Sequence, residues 1–220
     1  MTSGPQKAAF TLIELLVVVG IIVIGTSLLF IGGTGGSDGV KLSSAQRIVS
    51  SMAQGVRQQA LLKSQRARLI IYSESNADGM DKWLRFFGTI YEDPENDNQW
   101  IASTQGTYLP QGIYLDHTLS EQISAGLSSL PKMNLEYPRQ TAQSETGDTY
   151  YYYEFNPNGT LATDFINSWL VLRAGTLKPD DAGVMSVQFN EEEKANLKSA
   201  LIFRRVGSTT LVTDPSEIST

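Results

Sequence analysis

The sequence predicts an α+β chain: a long N-terminal hydrophobic helix, then an amphipathic helix packed on antiparallel β-sheets. Three observations predict it. A nearly unbroken apolar run spans Phe10–Ile31. Apolar residues then recur at steps of three and four between Val40 and Gln65, one stripe of a helix. Past Arg68 the period shifts toward two, in segments rich in β-branched and aromatic side chains.

Bulk composition narrows the function classes. The 220 residues carry 41% hydrophobic and 18% charged side chains, with nine Tyr, eight Phe and three Trp, as a folded protein does. The net charge of −6 argues against general nucleic-acid binding, which needs a basic surface. There is no Cys, so disulfides, thiolate nucleophiles and Cys-bearing metal sites are excluded.

The first element is the apolar run. Its roughly 22 residues make a helix of about 33 Å, enough for a hydrocarbon core of about 30 Å. Lys7 and the amino terminus precede it, and no Lys or Arg follows until Lys41. That bias points the N-terminus to the cytoplasm. The run is too long for the apolar region of a secretory signal peptide. Glu14 lies inside it, at a cost of about 3 kcal/mol on insertion scales. Either the carboxylate snorkels to the headgroups and favours the positive end of the helix dipole, or it has a function.

The string "FTLIELLVVVGIIVIG" closely resembles the N-terminal segment of type IV pilins and type II secretion pseudopilins. The resemblance implies a polar leader, residues 1–9, cut by a prepilin peptidase between Ala9 and Phe10. It implies that the freed amine of Phe10 is N-methylated. It also makes Glu14 the fifth mature residue, an assembly residue that pairs with the amino terminus of a neighbouring subunit. The family usually has Gly before the cut, where this chain has Ala9; a small residue still fits a tight cleavage pocket.

A second element is a break. "GGTGGSDG", residues 32–39, holds five Gly, each costing about 1 kcal/mol in a helix relative to Ala. It is expected to be a hinge, or else a melted section of one long helix. The third element is the amphipathic helix 40–65, with apolar positions Val40, Leu42, Ala45, Ile48, Val49, Met52, Val56, Ala60 and Leu61. The basic residues Arg57, Lys63, Arg66 and Arg68 gather toward its C-terminal end.

Strands are expected within 68–213: Arg68–Glu74, Lys82–Asp93, Gly112–Asp116, Tyr150–Gly159, Ser168–Gly175, Met185–Asn190 and Ala200–Thr213. "NPNG" at Asn156–Gly159 is a tight-turn signal, and Gly207 marks a hairpin turn. No helix is expected between strands, so the pairing should be antiparallel. The order of helix and strands resembles the H-type minor pseudopilins, the GspH/FimT group. So do the "LP-G" step at Leu109, Pro110 and Gly112 and the "F-P-G" turn at Phe155, Pro157 and Gly159. A narrower likeness is to the prepilin-like family called Verru_Chthon cassette protein D. This resemblance implies a pseudopilin fold over residues 40–220.

Catalytic signals are weak. His117, the single His, is expected in a polar loop after a strand, and no Ser stands in a recognised relay motif. There is no phosphate loop or dinucleotide fingerprint. Two acidic loops stand out as candidate calcium sites: Glu92, Asp93, Glu95 and Asp97 in one, and Asn76, Asp78 and Asp81 in the other. Neither has the EF-hand order, so both read as solvated turns. The sequon at Asn158–Thr160 is uninformative in a bacterial context. The expectation is therefore no enzyme, no cofactor and no metal.

Two function classes remain. One is a filament subunit of a type II secretion pseudopilus or type IV pilus-like filament, with other pilin or pseudopilin subunits as partners. The other is a single-pass anchored periplasmic binding protein that never assembles. Both put the segment 10–31 in the inner membrane and the globular domain in the periplasm, with no nucleic-acid partner and no assigned cargo. Glu14 discriminates, because a plain anchor has no use for it.

Overall fold

The computed structural model describes residues 18, 34–96, 99–124, 129–139, 141–142, 147–162, 167–180 and 183–218. The chain divides into two compact units, Met1–Ser37 and Asp38–Thr220. The second unit is described below.

Helix α1 runs Thr34–Lys63. Among the described residues it already includes Thr34, ahead of Val40, so the described part of the expected hinge is helical. Two effects offset the Gly cost. Leu42 to Ala60 is held as helix by packing, and extending an existing helix adds one hydrogen bond per residue fixed. Lys41 also pairs with Asp38, three residues away, at 2.9 Å. The helix ends at Lys63, short of Gln65, because Ser64 turns left-handed at φ 53. The Gln65 N–H then donates to the Ala60 carbonyl at 3.3 Å, which terminates the ladder.

The buried stripe of α1 is Leu42, Ala45, Val49, Ala53, Val56 and Ala60. Three of these are Ala, which lets the helix approach its neighbours closely. Val40 and Leu61, expected in the stripe, are exposed at 71% and 45%. Val40 precedes the first packed turn, and Leu61 lies beside the stripe, against Gly159.

Two antiparallel sheets share the core with α1. The larger, sheet A, has the order β6-β8-β1-β2-β3-β7, with β4 also on β2. Its strands are β1 (Ala67–Tyr72), β2 (Phe86–Glu92), β3 (Gln99–Ala102), β4 (Thr107–Tyr108), β6 (Lys132–Leu135), β7 (Thr141–Ala142) and β8 (Asp148–Phe155). Sheet B has the order β13-β12-β9-β5, from β5 (Ile113–Leu115), β9 (Asn167–Ala174), β12 (Lys198–Arg204) and β13 (Thr209–Val212). A separate hairpin joins β10 (Thr176–Pro179) to β11 (Met185–Gln188).

Alternation sorts the faces. Leu69 and Ile71 on β1, and Tyr151, Tyr153 and Phe155 on β8, face α1 in the main core. Ile70, Tyr72 and Tyr150 point the other way, into a second cluster with Phe86, Trp100 and Met133. A third cluster on the outer face of sheet B joins Val171, Ile202 and Val212 to Ile218. Gln46, buried in α1, donates through Nε2 to the carbonyls of Ala200 at 2.9 Å and Val212 at 3.0 Å.

The expected strand Lys82–Asp93 begins only at Phe86. Lys82 to Arg85 form a turn in which Leu84 takes φ 56. His117 does not sit in a loop: it opens helix α2 (His117–Ile123), whose N-cap is Asp116. The short strands β3, β4, β6, β7 and β10, like α2, lie outside the expected set. Two to four residues are too few to establish a period.

Candidate functional site

The residues expected to carry function, Ala9, Phe10 and Glu14, lie outside the described residues, as do 10–31 apart from Val18. Val18 is helical and half exposed. Among the described residues no helix is long and apolar enough to cross a membrane.

The two acidic loops resolve into local structure. Glu92 turns inward and is bound by Arg66 through Nε at 2.9 Å and through Nη2. The ion-pair partner Glu92 raises the Arg66 guanidinium above its ordinary value. Asp93 accepts from the Glu95 backbone at 2.9 Å and from Asn96 at 3.1 Å, which lowers its carboxyl below the usual range. Asp97 is outside the described residues. In the second loop Asn76 caps the single turn Ala77–Gly79, accepting from the Gly79 N–H at 2.8 Å and the Tyr72 hydroxyl at 3.1 Å. Among the described residues no group of three or more His, Asp or Glu stands close enough to hold a metal ion.

Sequence reasoning missed a charge–aromatic stack on the outer face of sheet A. The Arg68 guanidinium lies 3.9 Å from the Trp100 ring centre and 4.0 Å from that of Tyr152. Its Nε donates to Glu154 at 2.5 Å, and Arg66 stands 3.8 Å from the same carboxylate. The signal was present in the alternation of "RARLIIY" and "YYYYEF", but the pairing needed the register Arg68↔Glu154. The two arginines offset the burial of two carboxylates, so the cluster is structural.

Clefts among the described residues include the following two. One, of about 430 Å³, is lined by Trp83, Leu84, His117, Arg173 and Phe189. His117 stacks on Tyr151 at 5.3 Å. Asp116 accepts from the Leu119 N–H at 2.9 Å and pairs with Arg173 at 3.0 Å. Asp116 is thus occupied as cap and counter-ion, and among the described residues no carboxylate is hydrogen-bonded to His117. The other cleft, of about 640 Å³, is lined by Asp38, Lys41, Asp81, Arg85, Tyr114 and Lys194. Arg85 donates to the Leu109 carbonyl at 2.9 Å, which anchors the "LP-G" step. That step is a turn, with Gly112 at φ 87 and the Ile113 N–H donating to Pro110 at 3.1 Å. The "F-P-G" turn likewise closes with the Gly159 N–H on Asn156 at 2.8 Å.

Neither cleft carries a catalytic constellation among the described residues, and a family match falls on the N-terminal segment instead. No curated protein matches the chain. The solved structures it resembles include the type IV minor pilin FimU of Pseudomonas aeruginosa, with 11% identity, a TM-score of 0.40, and 77% of this chain and 87% of that one covered. Another is the minor pseudopilin EpsH from the type 2 secretion system of Vibrio cholerae, with 11% identity, a TM-score of 0.40, and 79% and 97% covered. Residues 5–30 match the family described as the prokaryotic N-terminal methylation motif. That span holds Ala9, Phe10 and Glu14, so the chain carries a prepilin-type methylation motif ahead of an α+β domain.

Proposed function

We propose that the chain is a pilin-like subunit, of minor pseudopilin type, in a type II secretion pseudopilus or type IV pilus-like filament. The observation that carries this reading is the methylation motif across residues 5–30, with Glu14 five residues into the mature chain. A prepilin peptidase cuts between Ala9 and Phe10, and the new amine of Phe10 is methylated. The segment 10–31 holds the subunit in the inner membrane with the β-rich domain in the periplasm. Glu14 is costly alone in hydrocarbon. The amine of a neighbour's Phe10, also charged, offsets that cost only when the two subunits stand in one axial register. The pair thus selects register and does no chemistry on a substrate.

Two measurements test this. The intact mass of membrane-extracted protein should lack residues 1–9 and carry one added methyl group. A mature chain beginning beyond Ile31 would instead mean a secretory signal peptide. Glu14→Leu should insert as well as the unchanged chain, because the helix becomes more apolar. It should lose crosslinking to filament partners at equal membrane abundance. Glu14→Asp should fall between the two, keeping the charge but not the reach. Normal assembly of Glu14→Leu would favour the plain anchored binding protein.

A further inference from the structure

Strand β13 forms one edge of sheet B, and among the described residues it pairs only with β12. The hairpin between them fixes which backbone groups face outward. The Arg204 N–H donates to Ser208 at 2.8 Å, and the Gly207 N–H donates to Arg204 at 2.7 Å. Arg204 and Ser208 are therefore a hydrogen-bonded pair, and by alternation Ile202–Thr210 and Ala200–Val212 are the next two. Thr209 and Leu211 turn their N–H and C=O away from β12, and no backbone partner meets them there among the described residues.

Natural edges are blunted by charge, proline or a bulge, or by being very short. β13 is short, at four residues, but "TTLV" carries no charge or proline, and Leu211 is 47% exposed. The rim at the hairpin end is basic. Arg205 is exposed at the tip, Arg204 lies along the strand with Nε 3.4 Å from the Thr210 hydroxyl, and Arg57 reaches the Gly159 carbonyl at 3.0 Å beside Gly207. Among the described residues neither Arg57 nor Arg205 forms an ion pair. In a chain of net charge −6 this is a local reversal of sign.

We propose that the open edge of β13 accepts an extended, acidic segment of a partner protein as an added antiparallel strand. Main-chain bonds to Thr209 and Leu211 supply the pairing, and carboxylates at the C-terminal end of the added strand meet Arg57, Arg204 and Arg205. A second copy is a poorer fit. Gln46 lies at Val212 and Arg57 at Gly207, so α1 runs antiparallel to β13. Self-pairing of β13 sets two α1 helices antiparallel, which a filament of like-oriented subunits excludes. The edge is remote in sequence from residues 5–30, so the strand site does not depend on the filament reading; the choice against a second copy rests on it.

The test uses the full chain in detergent micelles and two blocked hexapeptides, TVTVEE and TVTVKK. Hydrogen exchange followed by mass spectrometry should show protection of the amides at 209 and 211 by TVTVEE. TVTVKK should bind at least about ten-fold more weakly, roughly 1.4 kcal/mol. Leu211→Pro removes an outward N–H at an edge position that tolerates proline, and should abolish protection. Arg57→Glu with Arg205→Glu should reverse the peptide preference without touching β13. Unchanged exchange at 209 and 211 overturns the strand site. Equal binding of both peptides overturns the acidic partner, and protection without peptide that grows with protein concentration makes the occupant a second copy.

Discussion

Leu84 is the residue at which the fold works against local preference. It holds φ 56 with its side chain 2% exposed. A left-handed L residue costs about 1–2 kcal/mol. It persists because its N–H donates to Tyr72 at 3.0 Å and its carbonyl accepts from Leu115 at 2.8 Å, which ties β1 of sheet A to β5 of sheet B. Leu84→Ala keeps the strain and loses the packing, so it should destabilise by about 3–5 kcal/mol. Leu84→Gly should cost about 1 kcal/mol less, against the usual ranking of the two. Urea midpoints of the three proteins decide it; a Gly variant weaker than the Ala variant removes the strain account. Nothing in "KWLRFFGTIYED" signals this turn, because Lys82 to Arg85 include no Gly, Pro, Asn, Asp or Ser.

Glu191 offers a pH test. It accepts from Lys178 at 2.5 Å, from Lys194 at 2.9 Å and from Thr176 at 2.9 Å. These donors, Lys178 first, pull its carboxyl from 4.5 down to about 2. The folded value lies below the unfolded one, so the tie is complete above about pH 4.5 and is lost as pH falls through about 2. The acceleration of amide exchange in β10 and β11 relative to the intrinsic rate at each pH, a fall in protection, should therefore appear across that window. In Glu191→Gln the acceleration should vanish; if it persists, another group is responsible.

Among elements, the β12–β13 hairpin shows what one glycine secures. Gly207 has φ 81, and a Cβ there would stand 1.8 Å from the Gly159 carbonyl and 2.8 Å from Arg57 Nε. Gly207→Ala should thus cost more than about 2 kcal/mol, by displacing the backbone to which α1 is tied. Gly183, at φ 79 with open space within 4 Å of where a Cβ would stand, is the control. Gly183→Ala should cost only about 1 kcal/mol. Thermal melts of both check the difference, and similar losses would mean that backbone conformation alone matters. The hairpin was legible because a Gly between two β-rich runs has few other uses. Helix α2 was not: seven residues, "HTLSEQI", carry no helical stripe, and Asp116 as cap is visible only once β5 delivers it there.

For the molecule as a whole, Asp38–Thr220 is a compact unit by itself. A fragment of those residues should fold in water with one cooperative transition. Its circular dichroism should be strand-dominated, with a helical contribution from α1. Both expectations rest on the main core, which α1 and the two sheets build together and whose described members begin at Leu42. A broad, non-cooperative melt would mean that the N-terminal segment is part of the folding unit.

The α+β class, the antiparallel pairing and the packed helix were readable from the amino-acid order. All three follow from hydrophobic period and chain order, which are local properties. The methylation motif across residues 5–30 was readable in the same way, since it is a linear string and needs no fold to be recognised. Helix α1 ran into the Gly-rich stretch by propagation from the turns packed from Leu42 on. Tertiary structure decided the left-handed turn at Leu84 and the diversion of Glu92 from an acidic loop to Arg66. It also set which strand would be left as an open edge. Each of these depends on partners distant in sequence, whose packing or charge overrides what the local residues prefer.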